Sequence, residues 1–450
     1  LDILGLLPST DGILYQAVAF IIALAIIITV HEYGHYIVGR LSGIKAEVFS
    51  LGFGPTLFSI HDRQGTLWRI ALLPLGGYVR FAGDADAASA RGESGEIAAM
   101  TAQERRQTMH GAPLWARAAT VLAGPMFNFI LSTLIFAGMF LYQGVPTGQA
   151  VIGKLRALPG VEGQAAQNFA PGDKIVSVAG KPTPTGTDFA EAAAGLTPSP
   201  TVSYGIEKDG STKTVDGPYP MPPVVAGVTP LSAASDAGLR DGDVITAVDG
   251  TPIYAFSQLQ KAVSGSDGKQ LTLGVWRDGE SRQVTLTPRR TDLPTSGGGF
   301  ETRWLMGISG AYFFDLQTRS PGVVEALKMG VQQIWYTAQT SLSGLYHVAT
   351  RQISACNLRG PIGIAETSGA AAAQGLTTFL MFIAALSAAV GLLNLFPVPI
   401  LDGGHLVFHL WEAVTGHPPS ERALRVLMGG GLLIIIALMT FALTNDVTCP

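Results

Sequence analysis

The sequence predicts a membrane protein with a core of four transmembrane α-helices, a β-hairpin in its first connection, and two β-rich modules inserted between the second and third spans. Three observations predict it. Four segments of the 450-residue chain are long and apolar enough to cross a bilayer. Only 14% of residues are charged and the mean hydropathy is +0.33, as in a membrane protein that carries a soluble portion. One pattern, beginning at Gly172 and again at Gly242, occurs twice between the second and third spans.

The first span runs from Ile13 to about Val38. Its stretch Ile13–Val30 holds only Gln16 and Thr29 as polar members. No basic segment precedes it, so it is not read as a removed signal peptide; the chain begins at Leu1 without methionine, so a trimmed start is expected. The second span covers about Ala118 to Tyr142 and carries Pro125 and Asn128. The third is Leu376 to Phe396. The fourth is about Val426 to Leu443, loosened by Gly429-Gly430-Gly431.

Charge sets the expected orientation. The first connection holds Arg40, Lys45, Arg63, Arg69, Arg80, Arg91, Arg105, Arg106 and Arg117, whereas the first 12 and last 7 residues hold no Lys or Arg. The positive-inside rule puts that connection in the cytoplasm, with both termini and residues 143–375 outside. Arg422 and Arg425 then mark the return to the cytoplasmic side. In a bacterium this is a multi-pass protein of the inner membrane with its outer modules in the periplasm. The net charge of −4 gives no sign of nucleic-acid binding. Cys356 and Cys449 are the only cysteines, which excludes a thiolate zinc site and a disulfide framework. Their pairing, which would need both to face an oxidising compartment, is not expected.

The outer region carries the repeat. Gly172-Asp173-Lys174-Ile175-Val176-Ser177-Val178-Ala179-Gly180-Lys181-Pro182 matches Gly242-Asp243-Val244-Ile245-Thr246-Ala247-Val248-Asp249-Gly250-Thr251-Pro252, and Asp209-Gly210 matches Asp278-Gly279. The pattern reads as a strand, a tight turn and a second strand. It resembles that of bacterial PDZ domains, which implies a tandem PDZ pair over 144–220 and 221–290. Such a pair either binds an extended peptide end by strand addition or acts as a steric filter. No carboxylate-binding loop of the Gly-Leu-Gly-Phe type is evident in either copy. Residues 291–300, rich in Thr, Pro, Ser and Gly, read as a linker within a region over 291–375. Pro321 to about Tyr346 follows Ser320 as N-cap and reads as an amphipathic helix, lying on the membrane surface or packed beneath the outer modules. The membrane segments fill 1–143 and 376–450.

The chemistry is written at the end of the first span. His31-Glu32-Tyr33-Gly34-His35 is an H-E-x-x-H motif running directly out of the apolar stretch. Histidines at i and i+4 lie on one helix face, so two imidazoles can converge on one ion. In such sites the glutamate, here Glu32, is the general base for a water activated by a single Zn2+. With 8 histidines and 14 glutamates in the chain, chance gives the pattern on the order of 0.005 times. Ionisable groups inside a span are costly and mark function, and a metal gives three in five residues a reason.

Such a site needs a third ligand, and Ile37-Val38-Gly39-Arg40 offers none. Asp402 is the best candidate, within Asn394-Leu395-Phe396-Pro397-Val398-Pro399-Ile400-Leu401-Asp402-Gly403-Gly404-His405. Pro397 and Pro399 forbid a regular helix there, and a broken helix at membrane depth is tolerated only inside protein or beside a cavity. His405 and His409 are rival ligands.

His31-Glu32-x-x-His35 on the first span and Asn394-x-x-Pro397-x-Pro399-x-x-Asp402-Gly403 on the third resemble the site-2 protease family of intramembrane zinc metalloproteases. The resemblance covers nearly the whole chain. It implies His31, His35 and Asp402 as zinc ligands, Glu32 as catalytic base, and Asn394, with Pro397 and Pro399, as part of the substrate or oxyanion site. Ala123-Gly124-Pro125-x-x-Asn128-Phe129 is a further family feature, with Asn128 read as structural. Trp68–Phe81 reads as a β-hairpin turning at Pro74–Gly77; the family has a membrane-associated β-loop at this place, so Gly76 and Gly77 are expected to line extended substrate.

The expected function is intramembrane endoproteolysis of single-pass membrane proteins, an anti-sigma factor already trimmed on its outer side or remnant signal peptides, with the lipid bilayer as the other partner. An ion- or proton-coupled transporter using the same residues as a relay is the first rival; transporters often show repeated membrane halves, and these spans show none. An inactive PDZ membrane adaptor is the second, and the intact Glu32 argues against it.

Overall fold

The computed structural model describes residues 12–84, 100–159, 168–208, 210–295 and 299–449. The first eleven residues, Arg91 and Asp209, which enter the expected orientation and repeat, lie outside the described residues. The chain divides into two compact units, residues 1–138, 324–349 and 355–450, and residues 139–323 with 350–354.

Helix α1 spans Ile13–Leu41 and ends where the Ser42 N–H reaches back to the Val38 carbonyl. Arg40 in its last turn complements the partial negative charge there. Ala19, Ala23 and Ile27, at helical spacing, form a fully buried stripe.

Strands β1 (Ala46–His61) and β2 (Leu67–Phe81) follow. The sequence places the hairpin turn at Pro74–Gly77; the structure places it at residues 62–66, between His61↔Leu67 and the pairs leading to Thr56↔Ala71. Asp62 makes that turn: its Oδ1 accepts the Gln64 and Thr66 N–H groups at 2.8 and 2.9 Å. The Pro74–Gly77 stretch is a bend within β2. Its two arms both pair with the first part of β1, through Leu51↔Gly77 and Leu51↔Ile70, rather than with each other. Tyr36 and Arg40 of α1 both reach the Asp62 Oδ2, at 2.9 and 3.1 Å, which fastens the turn to the last part of α1.

Helix α2 (Leu114–Gln143) carries Pro125 in its interior. It packs on α1 with almost no side chain between them, since a Cβ on Gly34 would lie 2.6 Å from the Ala123 carbonyl oxygen. Small residues of this kind let membrane helices approach through their backbones.

The second unit contains both copies of the repeat. The first has β3 (Ile152–Leu155), β4 (Lys174–Val178), β5 (Lys181–Pro182), helix α3 (Gly186–Ala194), β6 (Val202–Lys208) and β7 (Ser211–Gly217). The second has β8 (Val225–Val228), β9 (Val244–Val248), β10 (Thr251–Pro252), helix α4 (Phe256–Ser264), β11 (Leu271–Arg277) and β12 (Glu280–Leu286). Their four-stranded sheets share one order, β5-β4-β6-β7 and β10-β9-β11-β12. The repeated residues explain why. Gly172 and Gly242 adopt φ of +93° and +90°, and the aspartates after them accept the N–H of Ala170 and Arg240 at 2.8 and 2.9 Å. Ala179-Gly180 and Asp249-Gly250 both take positive φ, as a two-residue type I′ hairpin requires.

Of the linker expected at 291–300, residues 291–294 and 300 are strand, in the pairing of Arg289–Pro294 with Phe300–Leu305. The chain then returns to both modules. Strand β13 (Ile308–Gly310) pairs with β8, and β14 (Phe314–Leu316) pairs with β3. The second copy is therefore inserted within the first, and boundaries at 220 and 290 leave each without its returning strand. These strands carry little periodicity because they are three residues long.

Helix α5 covers Val323–Ala349, two residues later at its start than expected. It packs on α2 through Gly330, where a Cβ would meet the Thr133 carbonyl oxygen at 2.8 Å. It is thus partnered by the second span. Helix α6 (Pro361–Ala373) lies against α1, with Gly369 over Gln16. Helices α7 (Leu376–Asn394), α8 (Asp402–Thr415) and α9 (Glu421–Thr448) complete the first unit. Four helices among the described residues, α1, α2, α7 and α9, are long and apolar enough to cross a membrane.

Cys356 and Cys449 form a disulfide, contrary to the expectation that they stay apart. Their neighbours bring them together. The Asn445 amide donates to the Ala355 carbonyl at 2.8 Å, and the Asp446 carboxylate accepts the N–H groups of Gly360, Ile362 and Gly363 at the start of α6. Cysteines far apart in sequence become partners because the end of α9 caps α6.

Candidate active site

His31 and His35 stand one turn apart on α1, with ring centroids 4.8 Å apart and rings nearly perpendicular. Asp402, in the first turn of α8, meets them. Its Oδ2 lies 3.2 Å from His31 Nε2 and 3.5 Å from His35 Nε2. The two Nε2 atoms are themselves 3.2 Å apart. These three residues are the one such metal-holding group among the described residues. His405 and His409, the rival ligands, lie further along α8 and are outside it.

The spacing fits zinc. Four-coordinate tetrahedral zinc with bonds of about 2.0–2.1 Å separates its ligand atoms by roughly 3.3 Å. The three observed separations bracket that value. The Asp402 Oδ2 is buried and lacks a hydrogen-bond donor of ordinary geometry, as suits an oxygen whose partner is a cation. The donor set of two imidazoles and one carboxylate, with a position left for water or substrate, is that of catalytic zinc.

Asp402 reaches the histidines because the chain breaks between α7 and α8. After Asn394 the backbone turns on itself, with the Val398 and Leu401 N–H groups bonded to the Phe396 and Val398 carbonyls. Pro397 and Pro399 cannot donate helical hydrogen bonds there. The turn is tight enough that a Cβ on Gly403 or Gly404 would lie 2.3 Å from the carbonyl oxygen of Phe396 or Val398. Asn394 itself donates from Nδ2 to the Val390 carbonyl of its own helix at 3.0 Å. Pro399 packs instead beside Gly431 of α9.

Helix α2 forms the other wall. The Thr120 carbonyl accepts from His35 Nδ1 at 2.8 Å. With its proton on Nδ1, that ring keeps its Nε2 lone pair for a metal. The Asn128 side chain lies 3.1 Å from His31 Nδ1. Between them, Gly124 faces both rings; a Cβ there would sit 2.3 Å from His35 Nε2 and 2.9 Å from His31 Cε1. Sequence reading marks this segment as a family feature with a structural Asn128 and passes over its contact with the imidazoles. A carbonyl ligand such as that of Thr120 has no sequence signature at all.

Glu32 sits beside the ligands, with β2 laid over it. The Val79 backbone N–H lies beside its carboxylate. A Cβ on Gly77 would come within 3.1 Å of Glu32 Cγ and 2.9 Å of the Ser50 carbonyl oxygen. At Gly76 a Cβ would strike the Phe53 ring at 2.2 Å. Gly77 thus permits the bend of β2 to lie against α1 at the glutamate, and Gly76 lets it pack on the Phe53 ring of β1. Arginine 117 of α2 and Glu412 of α8 form a two-pronged ion pair at 2.6 and 3.0 Å, joining the helix of the aspartate to that of Thr120 and Asn128.

Comparison with known proteins gives the family. The model of peptidase family M50 matches residues 19–438. A provisionally named zinc metalloprotease of Agrobacterium fabrum is 33% identical over 447 residues, 98% of each chain. Another of Rhizobium meliloti is 34% identical over 440 residues, 97% of each chain. The regulator of sigma-E protease RseP of Salmonella typhimurium is 33% identical over 463 residues, covering 97% of this chain and 99% of the relative.

Proposed function

This chain belongs to peptidase family M50 and is a zinc metalloprotease, and on that premise we propose that it cleaves the transmembrane segments of single-pass membrane proteins from within the bilayer. The proposal rests on the meeting of His31 and His35, on a helix apolar enough to span a membrane, with Asp402, in the turn just beyond another such helix, at separations of 3.2–3.5 Å.

His31, His35 and Asp402 hold the zinc ion. When bound, the ion supplies Lewis acidity, polarising the scissile carbonyl and making water acidic near neutral pH. Glu32 takes the proton of the attacking water and gives it to the leaving amine nitrogen as the peptide C–N bond breaks. A helical peptide bond is shielded by its own hydrogen bonds, so the substrate must be extended first. The bend of β2 at Gly76 and Gly77, against Glu32, supports a role in holding that extended stretch by backbone hydrogen bonds. Asn394, Pro397 and Pro399, at the break beside Asp402, contribute to the opposite wall of the substrate site.

The two repeated modules are PDZ domains in this reading, and they restrict access to substrates whose outer parts are already short. The basic first connection faces the cytoplasm, the termini and modules face the periplasm, and the protein resides in the bacterial inner membrane. The disulfide between Cys356 and Cys449 supports that side assignment, because disulfides persist in oxidising compartments. Likeness to a regulator of sigma-E protease points to an anti-sigma factor as substrate, with remnant signal peptides as a second class.

The experiment is cleavage of a tagged single-span protein by the purified enzyme in detergent or liposomes. The parent cleaves within the span. Glu32→Gln lowers the rate by about 10²–10⁴-fold, the usual contribution of a general acid–base group, while its zinc content stays at one per chain. Equal cleavage by the variant would remove Glu32 from the mechanism.

A further inference from the structure

We infer that Asn128 is a positioning residue for the metal centre, presenting its amide oxygen to His31 Nδ1–H in the zinc-loaded protein and so fixing the tautomer that turns His31 Nε2 to the ion. The inference rests on the reading of His31, His35 and Asp402 as zinc ligands.

Asn128 is fully buried on α2. Its Nδ2 stands 3.1 Å from His31 Nδ1, while its Oδ1 is buried without any hydrogen-bond partner. In that orientation the amide N–H donates to Nδ1, which forces the ring proton onto Nε2. Yet Nε2 is the atom that faces Asp402 at 3.2 Å and would have to bind the metal. A nitrogen carrying a proton has no lone pair to offer. Loading the site therefore moves the proton to Nδ1, where it would confront an NH2 group, donor against donor. Exchange of the two ends of the amide removes the conflict and uses the oxygen that is otherwise unpaired. One amide end remains unpaired in either orientation, so the imidazole proton decides between them.

The main chain at this position is already held. Ser387 Oγ of α7 donates to the Asn128 carbonyl at 3.0 Å, and Ser132 Oγ donates to the Ala384 carbonyl at 2.8 Å. These bonds fix α2 against α7 without using the Asn128 side chain, which is left free to serve His31. The two ligand histidines thus receive matched support from one helix: His35 from the Thr120 carbonyl and His31 from the Asn128 amide. Partners of this kind orient metal-ligating histidines and raise their basicity, and their loss costs about 10–100-fold in metal affinity.

The test compares the full-length parent, Asn128→Leu and Asn128→Asp by zinc competition against a chelator, by the visible spectrum of the cobalt-substituted protein, and by thermal unfolding of the metal-free form. Asn128→Leu, which keeps the volume but has no acceptor, is expected to bind zinc about 10–100-fold more weakly, with an altered cobalt spectrum and an unfolding temperature close to the parent's when metal-free. Asn128→Asp, which restores an acceptor, is expected to recover the affinity and the spectrum. Parent-like zinc affinity in Asn128→Leu would overturn the inference. So would a metal-free Asn128→Leu that unfolds at a lower temperature while its zinc affinity and spectrum are unchanged, since that marks a packing role. A parent that binds no zinc would instead sink the metal-centre reading itself, and the inference with it.

Discussion

Gly124→Ala is expected to abolish zinc binding and proteolysis while leaving the helical bundle folded. A methyl group there would occupy the space of the imidazoles, 2.3 Å from His35 Nε2 and 2.5 Å from its Cε1. Retreat of either helix would give up the backbone contact between them. Gly34 of α1 already sits against the Ala123 carbonyl, where even a Cβ would lie at 2.6 Å. The rings must therefore rotate away, and both lose their aim at Asp402. The expected fall in zinc affinity exceeds the roughly 10–100-fold that follows from losing an outer partner of a ligand. Metal content by mass spectrometry and cleavage of a single-span substrate check it. Circular dichroism of the variant should match the parent, because the side chains that move are at one point of the α1–α2 contact. A variant that retained zinc and activity would mean that the rings occupy other positions than those described.

The second large effect is expected at Asp402. Asp402→Asn keeps the shape of the side chain but removes the negative charge and one strong acceptor. Two neutral imidazoles and an amide hold zinc poorly compared with two imidazoles and a carboxylate. Occupancy after dialysis should fall well below one per chain, and cleavage should fall with it. Glu32→Gln separates this effect from chemistry, since it spares the ligands and should keep its metal. Unchanged occupancy in Asp402→Asn would move the third ligand to another group, with His405 the first to test.

Much of this site was legible in the sequence because its residues follow fixed spacings. His31 and His35 declare themselves by the i, i+4 rule, and the prolines and glycines around Asp402 announce a broken helix. What brings Asp402 to the histidines was less legible. It depends on a turn in which Gly403 and Gly404 approach the Phe396 and Val398 carbonyls, a tertiary matter that spacing alone only suggests. The supports from α2 were missed for a similar reason. Thr120 acts through its backbone oxygen, and no side-chain pattern reports that.

The fold divides in the same way. The helices long and apolar enough to span were placed within a few residues, because a bilayer demands a length that composition reveals. The hairpin turn was misplaced. Pro74 and Gly76-Gly77 carry strong turn chemistry, yet they bend β2 beneath α1, while Asp62 makes the turn through side-chain hydrogen bonds. Local turn signals do not distinguish a reversal from a bend. The insertion of one repeated module within the other also escaped, since strands of three residues have too little pattern to read. The pairing of Cys356 with Cys449 depended on the contact of Asn445 and Asp446 with the start of α6, which lies some 90 residues away in sequence.

In the proposed mechanism one zinc ion is held by His31, His35 and Asp402. X-ray absorption spectroscopy of the zinc-loaded, full-length protein tests it most directly. Multiple scattering from two imidazoles is expected, with all nitrogen and oxygen neighbours at about 2.0–2.1 Å. The signature of three imidazoles would contradict it, by bringing His405 or His409 to the ion in place of Asp402.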